Sequence, residues 1–246
     1  EDVIDCSSAG LDPLLMSRWD LTSAYLQGSL EPGETVYTHP PPGEPTHSKD
    51  GSRIYLEVLK PLYGLVQAGR RFQRGLFTWL LQYGFSRCHA DPCVFFLPST
   101  SSERRICGVY VDDIMLVHSH DAPNSSFAKF RSAFFARWEA EDEGHMTDLL
   151  NVHIRREADG SITLHQQPYI EGMMERFLPD GAPVNVQANS SPTTPELAQH
   201  VSDATLNSEP PPPALASRFS SLVGSLLYAA TQTRPDITYA VGMLSR

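Results

Sequence analysis

A run of apolar and β-branched residues from Ile106 to Val117, ICGVYVDDIMLV, is broken once, by the neighbouring acids Asp112 and Asp113. The pattern predicts a strand, a tight turn and a returning strand. On one straight strand adjacent side chains point to opposite faces. At a turn, two neighbouring carboxylates can approach one spot at the end of a sheet. Two anions held there repel each other and raise the pKa of at least one, a strain that a divalent cation relieves. A hairpin whose acids are only solvated turn residues fits the same twelve letters. The rest of the chain has to decide between them.

With 246 residues the chain is long enough for one large domain or two small ones with a substantial core. Its hydrophobic (41%) and charged (20%) fractions are those of a soluble globular protein, and the net charge of −10 argues against non-specific nucleic-acid binding by the chain as a whole. Local charge differs. From Arg53 to Arg87 the basic residues Arg53, Lys60, Arg70, Arg71, Arg74 and Arg87 face a single acid, Glu57. The acids between Glu139 and Asp148 read as a solvated turn. Cys6, Cys88, Cys93 and Cys107 have neither the C-x-x-C spacing of a zinc site nor the density of a disulfide scaffold. Cys88, His89, Asp91 and Cys93 are ligand types crowded into too short a span to wrap a tetrahedral ion. No signal peptide opens the sequence and no apolar run reaches membrane-spanning length, so the expected setting is intracellular, with no membrane partner.

Along the chain, Trp19–Leu26 reads as a strand with Asp20 near its start, and Val36–Tyr37 and Ile54–Leu59 as short strands around a Pro-rich loop. The apolar residues Phe72, Leu76, Trp79, Leu80 and Tyr83 give the stripe of an amphipathic helix over 67–83, with Gly84 as its C-terminal cap. Gln67, Arg71 and Arg74 share another face of that helix. Cys93–Leu97 precedes the central hairpin, and Phe127–Trp138 forms a second helix. Asp159–Gly160 marks a hairpin between 149–155 and 161–165. Pro168 opens a helix whose apolar face is Ile170, Met173, Met174 and Phe177, methionines at this spacing being core residues. Residues 179–216, rich in Pro and Ser, read as a linker or disordered insert, and Arg218–Ala230 as a further helix. The order implies an α+β fold, an antiparallel sheet with helices on one face.

Asp20 is far from Asp112 in sequence, and only the fold can bring the two together. If it does, three carboxylates share one sheet edge, a hard oxygen set suited to magnesium with its water and phosphate ligands. Four blocks carry a family resemblance: YVDD (Tyr110–Asp113), DLTSAYLQGSL (Asp20–Leu30), LYGLVQAGR (Leu62–Arg70) and SLVGSLLYAATQTRPDITYAV (Ser221–Val241). In order and spacing they resemble the reverse transcriptase of copia-type LTR retrotransposon Pol polyproteins, over nearly the whole chain.

The resemblance implies a right-hand polymerase palm. Residues 1–178 would form the palm, part of the fingers and the start of the thumb, and 217–246 the connection helices. Asp20, Asp112 and Asp113 would be the catalytic acids and the ligands of two Mg2+ ions, with Mn2+ as a substitute. Tyr25 would be the aromatic gate against a ribose 2′-OH. Gly64, Gln67 and Tyr110 would lie near the incoming nucleotide, and Arg70, Arg71 and Arg74 would meet template or primer phosphates, an attraction that weakens with salt. Leu149–Ile154 resembles the start of the primer-holding hairpin. The implied partners are an RNA or DNA template-primer, deoxynucleoside triphosphates, and the integrase and RNase H of a parent polyprotein. The implied setting is a cytoplasmic virus-like particle or the nucleus.

Some positions depart from the family pattern. Val66 stands where the family carries Lys, Gly69 where it carries Pro, and Asn151 where it carries Gly. With only 19 residues before Asp20, the resemblance leads to the expectation of a fragment without most of the family's fingers and without the other Pol domains. The competing expectation is therefore an inactive remnant that keeps the palm fold and binds nucleic acid weakly or not at all.

Overall fold

The computed structural model describes residues 14–97, 105–119, 122–181 and 209–245, with short pieces between 192 and 203. Half of the 179–216 segment, including 182–191 and 204–208, lies outside the described residues. The chain divides into two compact units, 1–146 and 147–246.

The first unit opens with β1 (Leu15–Leu21), a 3-10 turn (Ala24–Gln27), and the short pair β2 (Tyr37–Thr38) and β3 (Leu56–Glu57). Helix α1 (Ala68–Tyr83) follows, then β4 (Ser86–Arg87), β5 (Val94–Leu97), β6 (Arg105–Tyr110), β7 (Asp113–His118), α2 (Ser126–Arg137) and β8 (Ala140–His145). Six strands form one antiparallel sheet in the order β4-β5-β6-β7-β1-β8. Strand β1, distant in sequence, inserts between the hairpin strand β7 and the edge strand β8. That insertion is the topological step that carries Asp20 to the hairpin.

One face of this sheet is dry. Trp19 and Leu21 of β1, Ile114 and Leu116 of β7, Val109 and Cys107 of β6 and Phe95 of β5 are buried with Phe72, Leu76, Phe77 and Leu80 of α1 and Phe127, Phe130 and Phe134 of α2. The expected stripe of α1 faces the core, with Trp79 and Tyr83 packed at its margin. Helix α1 ends where its sequence says it should. Gly84 takes a left-handed φ of 113° and returns its N–H to Leu80 and Leu81, a conformation open to glycine without Cβ strain. Helix α2 is capped by Ser125, whose hydroxyl accepts from the Ala128 N–H at 3.0 Å.

Two sequence expectations in this unit are corrected. The strand predicted to run from Trp19 to Leu26 stops at Leu21, and Ala24–Gln27 winds into a 3-10 turn after Ser23, which has φ 50°. The acidic run expected as a solvated turn is instead strand β8, paired with β1 through a register shift between Arg18 and Trp19. AEDEGH has no apolar alternation to announce a strand. Its charges sit on an exposed edge, where they discourage pairing with another chain.

The second unit contains β9 (Asp148–Leu149), β10 (Val152–Arg156) and β11 (Ile162–His165), a three-stranded antiparallel sheet ordered β11-β10-β9. Its described residues also include helices α3 (Gln167–Phe177), α4 (Pro213–Gln232) and α5 (Thr238–Leu244) and a 3-10 turn (Pro235–Ile237). The β9–β10 turn explains one departure from the family pattern. Leu150 and Asn151 both have positive φ, 49° and 62°, as a two-residue turn of mirror-image type requires. Glycine suits that position best and asparagine next, so Asn151 preserves the turn. Of the apolar stripe expected on α3, Phe177 is buried while Met174 is 45% exposed, so the core reading of that methionine does not hold. Helix α4 starts at Pro213 rather than Arg218, with proline in the first turn, where its missing N–H costs nothing.

Candidate active site at the end of the central hairpin

The hairpin turn is short. Tyr110 pairs with Asp113 and the strands reverse through Val111 and Asp112. Val111 has φ 55°, a left-handed conformation uncommon for a β-branched residue and costing on the order of 1–3 kcal/mol. The Leu21 N–H donates to the Asp112 carbonyl at 2.9 Å, which fastens the turn to the end of β1. Register then sets the site. Asp20 stands opposite Asp113 on one side and opposite Glu141 on the other. Directly opposed residues of antiparallel strands share a face, so Tyr110, Asp113, Asp20 and Glu141 form a row across four strands. The row lies on the face opposite Trp19 and Ile114, away from the helices.

The charges in this row act on one another. Burial, then the Asp112 and Asp113 carboxylates, push the Asp20 carboxyl above its ordinary value; Glu141 adds to the push and Arg18 opposes it. A carboxyl raised in the folded state costs stability once ionised. The cost is absent below the ordinary value near 3.8 and develops as pH rises through the elevated one. In chelator, Asp20→Asn is therefore expected to melt above the parent at pH 7. The gap should close as the pH falls below about 3.8, as thermal melts across that range would show.

Arg18, two residues before Asp20 on the same face, occupies Asp113. Its Nε and Nη2 reach Asp113 Oδ1 at 3.0 and 2.7 Å, and its Nε reaches Glu143 Oε2 at 2.9 Å. Among the described residues no three His, Cys, Asp or Glu side chains are gathered tightly enough to hold a metal ion. The donor set nevertheless fits a hard divalent cation. Asp20 and Asp113 are neighbours in register, Asp112 is held beside them by the Leu21 bond, and their mutual repulsion is the strain such an ion relieves. The obstacle is local, the guanidinium on Asp113.

The other expected residues fall around the start of α1. The Tyr25 ring, half-buried, stacks on Tyr63 at 4.4 Å and leans on Phe72. Tyr25 and Phe72, with Gly69, Gln73, Val109 and Val111, line a cavity of about 140 Å³. A Cβ at Gly69 would stand 3.3 Å from the Tyr25 hydroxyl, so glycine in place of the family's proline gives that ring its room. Gly64 has φ 96° in open space, a conformation that any side chain would strain. Gln67 donates to Glu34 at 3.0 Å. Arg71 pairs with Glu31 and Glu34, and Arg74 with Glu31 at 2.8 Å, whereas Arg70 is exposed. Two of the three arginines expected at phosphates thus already neutralise acids of their own chain.

Sequence reasoning missed Arg18, Glu31, Glu34, Glu141 and Glu143. The acids after Glu139 were visible as charge, but their placement beside Asp20 depends on an edge strand without a strand-like pattern. Among the described residues no helix is long and apolar enough to cross a membrane.

Comparison with known proteins gives a consistent result. Residues 8–189 match the family model described as reverse transcriptase (RNA-dependent DNA polymerase). The chain is 31% identical to the retrovirus-related Pol polyprotein from transposon TNT 1-94 of Nicotiana tabacum, over 97% of this chain and 17% of that protein. It is 30% identical to the Pol polyprotein from transposon RE1 of Arabidopsis thaliana, over 92% of this chain and 14% of that protein. With a putative transposon Ty5-1 protein of Saccharomyces cerevisiae it shares 28% identity over 92% of this chain and 68% of that protein. The chain thus spans less than a fifth of the two polyproteins. Since the family match covers most of the sequence, including Asp20 and the Asp112–Asp113 hairpin, the chain belongs to the reverse transcriptase (RNA-dependent DNA polymerase) family.

Proposed function

We propose that this chain carries the nucleotidyl-transfer centre of an RNA- and DNA-templated DNA polymerase, which extends a primer 3′-OH with deoxynucleoside triphosphates. The observation that supports this most is the register of β1 against β7, which sets Asp20 beside Asp113 next to the turn holding Asp112. In this reading the first unit is the palm with part of the fingers. Residues 149–154 would begin the primer-holding hairpin and 169–177 the thumb, the segment up to α4 would link, and α4 and α5 would be the connection helices.

Asp20, Asp112 and Asp113 would hold two magnesium ions, or manganese in their place. Bound there, the metal would activate the primer hydroxyl and neutralise the leaving pyrophosphate. Tyr25 would close against the sugar, with Tyr63 and Phe72 fixing its ring. Gly64 would admit the nucleotide close to the backbone, with Gln67 and Tyr110 beside it. Arg70, exposed, would meet phosphate first, and Arg71 and Arg74 would do so by exchanging Glu31 for the nucleic acid. By family the setting is an intracellular particle or the nucleus, with integrase and RNase H as polyprotein neighbours.

A second reading is favoured by one observation. The Arg18 contact occupies Asp113, as a non-catalytic remnant that keeps the palm fold would permit. One assay separates the two. Purified chain is incubated with a primed homopolymer, deoxynucleotides and Mg2+ or Mn2+, beside an Asp112→Asn control. Extension that the substitution abolishes supports the polymerase, and no extension at any metal concentration supports the remnant.

A further inference from the structure

Arg18 is the cation set among the acids of the row, and its placement is specific. It lies on the inner strand β1, with Asp113 on one neighbouring strand and Glu143 on the other. Both contacts to Asp113 fall on Oδ1, at 3.0 and 2.7 Å, while the same Nε lies 2.9 Å from Glu143 Oε2. Glu143 takes this position because the shift in β1–β8 pairing puts Gly144 opposite Arg18 and Asp142 opposite Trp19, leaving Glu143 between them. Such a bulge re-aims a side chain without ending the ladder. The Arg18 and Asp113 side chains are 27% and 17% exposed, so their interaction is less screened than a pair on the open surface.

We propose that Arg18 is a resident countercation of the acidic row, one that a divalent metal must displace from Asp113, and that Glu143 is the partner that receives it. The proposal rests on the assignment of Asp20, Asp112 and Asp113 as metal ligands. A guanidinium offers several fixed donors and is never deprotonated at working pH. It can therefore discharge the repulsion among the acids while metal is away. When metal engages Asp113, the fork loses one acceptor and keeps the other, so the cation need not be stranded without a partner. Glu143 thereby acts on the metal site only through Arg18, and both are positioning residues rather than ligands. Metal affinity then reflects an exchange of one cation for another.

The test is Mn2+ binding to the full chain, read from free Mn2+ by electron paramagnetic resonance, without nucleotide or primer. Arg18→Gln is expected to tighten the apparent Kd about threefold, the scale of one partly exposed ion pair. Arg18→Lys keeps the charge but loses the fork, and should give a smaller tightening if the glutamine variant does not fold. Glu143→Gln removes the carboxylate that receives Arg18 and should weaken binding about threefold. The deciding outcome is the double variant. If Glu143 acts through Arg18, its substitution has no effect once Arg18 is glutamine. Equal weakening by Glu143→Gln in both backgrounds would mean simple through-space charge and overturn the proposal, as would an unchanged or looser Kd in both Arg18 variants. A parent chain that binds no Mn2+ at millimolar concentration would instead defeat the metal-site assignment itself, and this inference with it.

Discussion

Trp19→Ala is expected to cost the first unit about 3–5 kcal/mol, the usual range for truncating a large buried aromatic residue. The total stability of a domain is only about 5–15 kcal/mol, so the variant should be largely unfolded or close to it. The reason is position. Trp19 is fully buried, and its ring lies within 6.0 Å of Phe127, Phe130, Phe134 and Phe135. It fixes strand β1 onto helix α2, and its neighbour Asp20 points to the other face. Losing the ring removes the support that holds Asp20 in register. Trp19→Phe should cost much less, because the indole Nε1 is buried without a hydrogen-bond partner and phenylalanine removes that burden. Urea unfolding of the three proteins checks the order: parent and Trp19→Phe close together, Trp19→Ala far below. A Trp19→Ala chain as stable as the parent would show that β1 does not anchor the sheet.

The second large effect concerns Tyr25. Its ring is held by Tyr63 on one side, with Gly69 and Phe72 also against it. Under the proposed function that rigidity lets it exclude a 2′-hydroxyl. Tyr25→Ala should raise ribonucleotide incorporation relative to deoxynucleotide by roughly a hundredfold, near the ceiling for discriminating one added hydroxyl by shape. Tyr25→Phe should change it little, since the ring rather than its hydroxyl does the excluding. Competing single-nucleotide insertions measure both. Unchanged sugar selectivity in an active Tyr25→Ala chain would make Tyr25 an ordinary packing residue.

Legibility varied with the physical signal each segment carries. Helix α1 was readable because five apolar residues mark one face and Gly84 marks its end. The central hairpin was readable because two acids interrupt two apolar strands. Neither signal says which distant strand lies alongside. The pairing of β1 with β7 is a property of topology, and only the family resemblance raised that expectation. Strand β8 was missed because AEDEGH forms a strand through its neighbour rather than through its own pattern. The Glu31 and Glu34 contacts to α1 were missed for a related reason. A helix face with Arg71 and Arg74 looks like an open basic surface until a loop some 40 residues earlier supplies the counter-charges. Arg18 was passed over because a single arginine in a strand has no meaning until the acids across from it are known.

The central claim of the proposed function is that Asp20 and the Asp112–Asp113 pair share one metal site. Iron-directed cleavage tests it most directly. Fe2+ replaces Mg2+ in the full chain, ascorbate and peroxide generate hydroxyl radicals at the bound ion, and mass spectrometry locates the backbone cuts. Two clusters of cuts are expected, one around Asp20 and one around Val111–Asp113, both suppressed by excess Mg2+. Cuts at only one of these segments, or cuts indifferent to Mg2+, would contradict the account.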